Sequence, residues 1–467
     1  MSESERRGLR LPARAAAVYL ISGAIGKSAG LFLTPFFTRI LPPTEYGGYA
    51  YYMSLIGFGS LFASAAHSQA VSYGGSARFG AKEFYPALFT VSVAFSLLVS
   101  LPTVLLSGLT PALGIALVFQ LLADAAVGAY AMRSRYLYDY GRVATLSLFS
   151  SLAAPLLSLF LLKRGFFGGV GSRVYSLLAV SLCSAALAAV SLPVNGRLLP
   201  RRDELSYALK TALPFLPGAL AAALSTEADK LIVARILGSG ALAKYSVAYS
   251  IGAGLYFVST ALSSALCPWL TRRVERGELE KAVAPVRAVV TLLFSASVAV
   301  ILIAPEALGI LAPRSYASAL YAVLPVALCV PLSFLLGLST LLLTQRGAAR
   351  RAALLSAIGG LSGALLSLPL TKLFGLTGAA TAGFAGTFIS LYLSLLALGG
   401  VGASSPLSLG ELLYTLFPFL PLALISALLY PYPRVRLLLL AFVLFLALRA
   451  IKSTFPLLFR KEKSPPI

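Results

Sequence analysis

A few ionisable residues sit within long apolar runs, where charge is costly and so informative. Lys27 lies about thirteen residues into the apolar stretch 14–37, and the positions three and four away hold Gly23, Ala24, Gly30 and Leu31. No acid on its own helix face can neutralise it. A lysine near a bilayer centre costs about 2.5–3.5 kcal/mol on insertion scales, so it must face a hydrated cavity or a partner. In a cavity it would bind an anion; otherwise Asp124 or Glu227 is the expected partner. A second group lies in the run Ser225-Thr226-Glu227-Ala228-Asp229-Lys230-Leu231-Ile232-Val233-Ala234-Arg235. Glu227 and Lys230 are three apart and can pair on one face, with Asp229 roughly 200° from Glu227 around the helix. An intramembrane carboxylate outside such a pair suits a proton- or sodium-coupled step, and a paired, solvated cluster at a helix end is the alternative. Asp124 is the other acid well inside an apolar run, and Glu45, Glu306 and Glu411 sit at run ends, where solvation is expected.

Other chemistries lack their residues. His67 is the only histidine, and Cys183, Cys267 and Cys329 are far apart, so neither a metal site nor a disulfide framework is expected. No cofactor is implied. No Asp-x-Asp occurs and the gaps between apolar runs are short, which argues against a membrane-embedded glycosyltransferase or other enzyme. The net charge of +22 does not suggest a nucleic-acid binder, because the Lys and Arg fall between apolar runs and not on a soluble face.

The elements that position these residues are helices. Hydrophobic residues make up 58% of the chain and charged ones 12%, with a mean hydropathy of +0.87. About fourteen apolar runs, each long enough for a ~30 Å hydrocarbon core, fill the 467 residues. The fold class is therefore all-α, a polytopic membrane protein of about fourteen spans. The basic N-terminal segment precedes an apolar run too long for a signal-peptide core, so it is expected to remain as the first span. With both termini in the cytoplasm of a cell-membrane protein, 26 of the 38 Lys and Arg fall on the inner side and ten on the outer; Lys27 and Lys230 lie within spans. Lys163, Arg164 and Arg173 break this pattern, and the span boundaries near 163–173 are the least defined.

The two halves are similar. Thr38-Arg39-Ile40-Leu41 with Tyr49 and Ser54, and Ala234-Arg235-Ile236-Leu237 with Tyr245 and Ser250, share an offset of 196 residues. A six-span repeat keeps topology, which predicts lobes over 1–200 and 201–402, related by an axis along the membrane normal. Residues 403–467 then supply two further spans and a basic tail. Pro35 in the first span, and Pro214 and Pro217 opening the seventh, predict bent or broken helices, which transporters place beside their sites; such residues are also common in membrane helices generally. Tyrosines at 46, 49, 51 and 52 and at 245, 249 and 256 follow these segments and either belong to interfacial belts or line a sugar-binding cavity.

The stretch from Lys27 to Phe58, with Glu45-Tyr46-Gly47-Gly48-Tyr49, resembles the opening of the polysaccharide-export flippases that move polyprenyl-linked oligosaccharides. The block from Leu213-Pro214 to Gly238, with Tyr245-Ser246-Val247-Ala248, is similar to their seventh and eighth spans. The resemblance implies the superfamily shared with multidrug and toxin extrusion transporters and the lipid II flippase, and a two-lobed alternating-access bundle. In the lipid II flippase a first-span basic residue sits in the central cavity, and spacing back from Arg39 puts Lys27 at that position. The expected partner is a lipid-linked oligosaccharide among membrane lipids, its diphosphate held by Lys27, with Arg39 and Arg235 at the outer mouth. Asp229, Glu227 and Asp124 are candidates for coupling to Na+ or H+. A cation-carrying drug or metabolite exporter of the same superfamily is the main rival.

Overall fold

The computed structural model describes residues 30–137, 139–190, 199–400 and 418–459. Among them every regular element is helical, and nine helical stretches are long and apolar enough to cross a membrane. The chain divides into two compact units, the first ending at Ala243 and the second beginning at Lys244.

The first unit contains α1 (30–40), α2 (Pro43–Ala66), α3 (Gln69–Phe79), α4 (Tyr85–Ser107), α5 (Pro111–Tyr136), α6 (Tyr140–Lys163), α7 (Gly168–Val190), α8 (Arg202–Ala212) and α9 (Leu216–Leu237). Helix α10 (Ser239–Ala253) runs across the division. Helices α8 and α9 lie in the first unit, where α9 packs along α2. Lipid gives no hydrophobic drive between helices, so their association rests on close packing and buried polar bonds. Tyr52, Leu55, Leu117, Leu121 and Val174 form one such core between α2, α5 and α7, with Leu231 of α9 against it. Phe84, Leu88, Val91 and Phe95 form a second, closed by Ala208 and Ala212 of α8.

The expected break in the seventh span is present. Helix α8 opens with Asp203 and Glu204 in its first turn, where Glu204 Oε2 accepts the Arg201 backbone N–H at 2.9 Å. Pro214 supplies no backbone donor, and the chain passes through a 3₁₀ turn over Leu213–Phe215 before α9 starts. At Pro35, by contrast, α1 stays helical. The apolar run over 47–74 is not one helix: it divides at His67–Ser68, where α2 gives way to α3.

The second unit contains α11 (Tyr256–Glu275), α12 (Val283–Leu311), a 3₁₀ segment over Arg314–Ala322, α13 (Val323–Gln345), the long stretch α14 (Ala349–Gly400), α15 (Phe419–Leu428) and α16 (Pro433–Phe459). The apolar runs 352–371 and 376–398 are the two arms of α14, separated by Gly375 at φ 61°. Glycine adopts this left-handed backbone without the Cβ penalty. The arms then pack closely: a Cβ on Gly386 would come within 2.7 Å of the Gly359 carbonyl and of Gly363 Cα. Helix α16 lies along α12, joined by Arg436, which is 5% exposed. Its two terminal nitrogens donate to Glu306 Oε2 and Oε1 at 2.9 and 2.7 Å, and Nη1 also donates to the Leu302 carbonyl at 2.6 Å. Glu306 is therefore an ion-pair partner and not a merely solvated end residue.

Candidate functional site

Two polar clusters flank α2 in the first unit. On one face, Glu227 of α9 accepts a bond from Lys230 Nζ at 2.9 Å, as their spacing predicts, and each side chain is 16% exposed. Lys230 Nζ also donates to the Thr226 carbonyl at 2.9 Å. Ser54 of α2 lies within hydrogen-bond reach of the Glu227 carboxylate, and its hydroxyl is 3.0 Å from the Ala50 carbonyl, so one proton serves either acceptor. One turn further along α2, Gly57 presents only its Cα, and a Cβ there would come within 2.7 Å of Glu227 Oε1. The pair is thus packed against a neighbouring helix and not solvated at a helix end.

The second cluster surrounds Asp124 of α5. Gln120, one turn earlier, donates from Nε2 to Asp124 Oδ1 at 2.9 Å and to Ser181 Oγ of α7 at 2.6 Å. Gln120 Oε1 and the Tyr52 hydroxyl of α2 are buried without a hydrogen-bond partner among the described residues. Tyr52 lies close enough to Asp124 to feel its charge. Buried polar atoms are normally satisfied, so a carboxylate beside unsatisfied amide and phenol oxygens has the character of a site for a proton or small cation.

The remaining predicted residues are more dispersed. Lys27 lies outside the described residues. Arg39 is exposed at the end of α1, its Nη1 donating to the Pro35 carbonyl at 3.1 Å. Asp229 Oδ1 accepts the Lys230 backbone N–H at 2.8 Å. Arg235, in the last turn of α9, is exposed and within electrostatic reach of Tyr51, whose hydroxyl donates to the Ser107 carbonyl at 2.9 Å. His67 is a packed polar residue, with Nδ1 3.3 Å from Ser92 Oγ and its ring against Gly128. Among the described residues no three His, Cys, Asp or Glu gather as metal ligands.

Sequence reasoning missed several participants. Gln120 stands one turn from Asp124, a spacing that could have identified it. Arg173 of α7, one of the residues that break the charge asymmetry, is held in an aromatic box: its guanidinium carbon lies 3.9 Å from the Phe37 ring centroid, 3.7 Å from that of Tyr49 and 5.3 Å from that of Tyr46. Two of the tyrosines offered as cavity-lining, Tyr46 and Tyr49, are therefore engaged with an arginine.

The profile of the family described as polysaccharide biosynthesis protein matches residues 36–320, more than half the chain. No curated protein matches in sequence. Among solved structures, the lipid II flippase MurJ in an inward closed conformation aligns with a TM-score of 0.69 at 14% identity, over 94% of this chain and 99% of that one. A multidrug resistance MATE family transporter of the MOP superfamily, inward-facing, aligns with a TM-score of 0.59 at 14% identity, over 82% and 96%. A MATE structure in the straight conformation gives 0.57 at 13%, over 84% and 96%. These likenesses establish a shared fold.

Proposed function

Because the chain belongs to the polysaccharide biosynthesis protein family, we propose that it is a multi-pass flippase translocating a polyprenyl-diphosphate-linked oligosaccharide across the cytoplasmic membrane by alternating access. The observation that carries this reading is the joining of that family to a fold aligned with a lipid flippase along 94% of the chain. Stripping water from a diphosphate in hydrocarbon is prohibitive, so a path for it needs fixed positive charge. Lys27 holds the diphosphate, with Arg39 and Arg235 as weaker contacts at the outer mouth. Lobes over 1–200 and 201–402 exchange conformations, the spans of 403–467 are added to them, and both termini are cytoplasmic. No bond is broken, so the protein acts as a carrier and not as an enzyme.

Asp124, Glu227 and Asp229 are the candidates for coupling the cycle to Na+ or H+. Asp124 is the strongest, because buried oxygens of Gln120 and Tyr52 stand near it without donors. Glu227 already has a lysine partner.

The test is export of a lipid-linked glycan in cells carrying Lys27→Ala, and flipping by Asp124→Asn and Asp229→Asn with and without an ion gradient. Full export by Lys27→Ala would overturn the assigned anion site. The MATE-like fold favours one rival, an exporter of cations. Protection of the purified protein from unfolding by a cationic dye, and not by a polyprenyl diphosphate sugar, would select that rival.

A further inference from the structure

A cavity of about 360 Å³ opens between α5, α6 and α7. It lies within the first unit and contains none of the residues assigned to transport. It is lined by Tyr130, 2% exposed, with Thr145, Leu146, Phe149, Leu187 and Ala188, and Arg142 is the one charged residue. The volume falls in the ~300–1,000 Å³ range of small-molecule sites. Its polar groups are the Tyr130 hydroxyl, Thr145 and Arg142, and the rest of its lining is apolar. In a bilayer, hydrocarbon can lie against that apolar part.

Two further features identify the occupant. First, Phe149, Leu152, Leu156 and Phe160 are all exposed on α6 at the three- and four-residue spacing of a single helix face. The cavity thus continues into an apolar stripe running along the span. Second, Arg142 is only loosely engaged: its Nη1 is 3.4 Å from Asp139 Oδ2, with side-chain exposures of 63% and 38%. Its guanidinium is available for a bidentate contact with a phosphate. Arg135, exposed in the last turn of α5, adds a second basic residue to this part of the first unit. A basic residue beside an apolar pocket between transmembrane helices is the arrangement that anionic lipids occupy.

We infer that this cavity is a binding site for an anionic glycerophospholipid, one acyl chain lying between α5, α6 and α7 along the α6 stripe and the phosphate resting on Arg142. The occupant is a lipid of the surrounding bilayer and not the transported cargo, so the site stands whether or not the flippase reading does.

The experiment uses the full-length protein purified in a neutral detergent. Thermal unfolding is followed with phosphatidylglycerol, phosphatidylcholine, a polyprenyl monophosphate or inorganic phosphate, and lipid that stays bound is weighed by native mass spectrometry. Phosphatidylglycerol is expected to raise the midpoint and to be retained. Arg142→Gln should weaken its apparent affinity about tenfold, the loss of one charged contact. Ala188→Trp should abolish protection by filling the cavity. If that buried substitution prevents folding, Leu187→Trp at the half-exposed mouth gives the same reading. Equal protection by phosphatidylcholine, protection by inorganic phosphate alone, or protection by the polyprenyl phosphate alone would each overturn the assignment. So would undiminished phosphatidylglycerol binding by a folded tryptophan variant.

Discussion

Gly57 and Glu227 share one space: the carboxylate of α9 occupies the position that any side chain on residue 57 of α2 would fill. A methyl group there meets the free end of a flexible side chain, so Gly57→Ala is expected to be mild. Gly57→Val should cost about 1–3 kcal/mol, the range for overpacking a core. The cost should largely vanish in a Glu227→Ala background, a coupling of about 0.5–3 kcal/mol in a double-mutant cycle followed by chemical unfolding in micelles. Additive effects would show that the carboxylate is not held there.

The Asp124 cluster predicts a separation of fold from ion response. Asp124→Asn should leave the protein folded while removing any stabilisation by Na+ or H+, since a ligand stabilises only a site it binds. Gln120→Leu removes the donor shared by Asp124 and Ser181 and should cost about 1–3 kcal/mol, the penalty for unsatisfied buried partners. Thermal midpoints across a Na+ and pH series check both.

In the second unit, Glu306→Gln leaves the buried Arg436 guanidinium without its counter-charge, and a loss of about 1.5–3 kcal/mol is expected for charged hydrogen bonds of this kind. Replacing both partners, Glu306→Leu with Arg436→Met, should recover much of it, because no buried guanidinium is then left without its counter-charge. Unfolding of the single and double variants distinguishes these outcomes.

Between α11 and α12, Glu278 lies outside the candidate spans and accepts a bond from Lys281 Nζ at 2.7 Å and another from Arg273. These bonds, Lys281 first, hold its carboxyl below its ordinary value of 4.5. A lowered carboxylate contributes stability that is complete above that value and disappears as acid protonates the folded form. The midpoint difference between wild type and Glu278→Gln should therefore be constant from neutral pH down to about 4.5 and shrink below it.

The helical fold was legible because apolar runs of span length leave few alternatives in a bilayer. Proline placement announced the 3₁₀ break at Leu213–Phe215, and three-residue spacing announced the Glu227–Lys230 pair. Contacts between distant segments were not legible. Nothing in a linear pattern brings Ser181 to Gln120 across 61 residues, or Arg436 to Glu306 across 130. Arg173 was visible only as an exception to the loop-charge rule, and its reason, three aromatic rings from α1 and α2, needs tertiary structure. The one-residue reversal at Gly375 escaped notice because two runs separated by four residues look like two spans and a loop.

That reversal bears on how the protein is made. Because a single glycine turns the chain, the arms from Ala349 to Gly400 present the insertion machinery with one hairpin and no hydrophilic connector to thread across, apart from Lys372 near the tip. Their backbones meet at Gly359, Gly363 and Gly386, so the hairpin can close on leaving the translocation pore, before the helices that follow it have been synthesised.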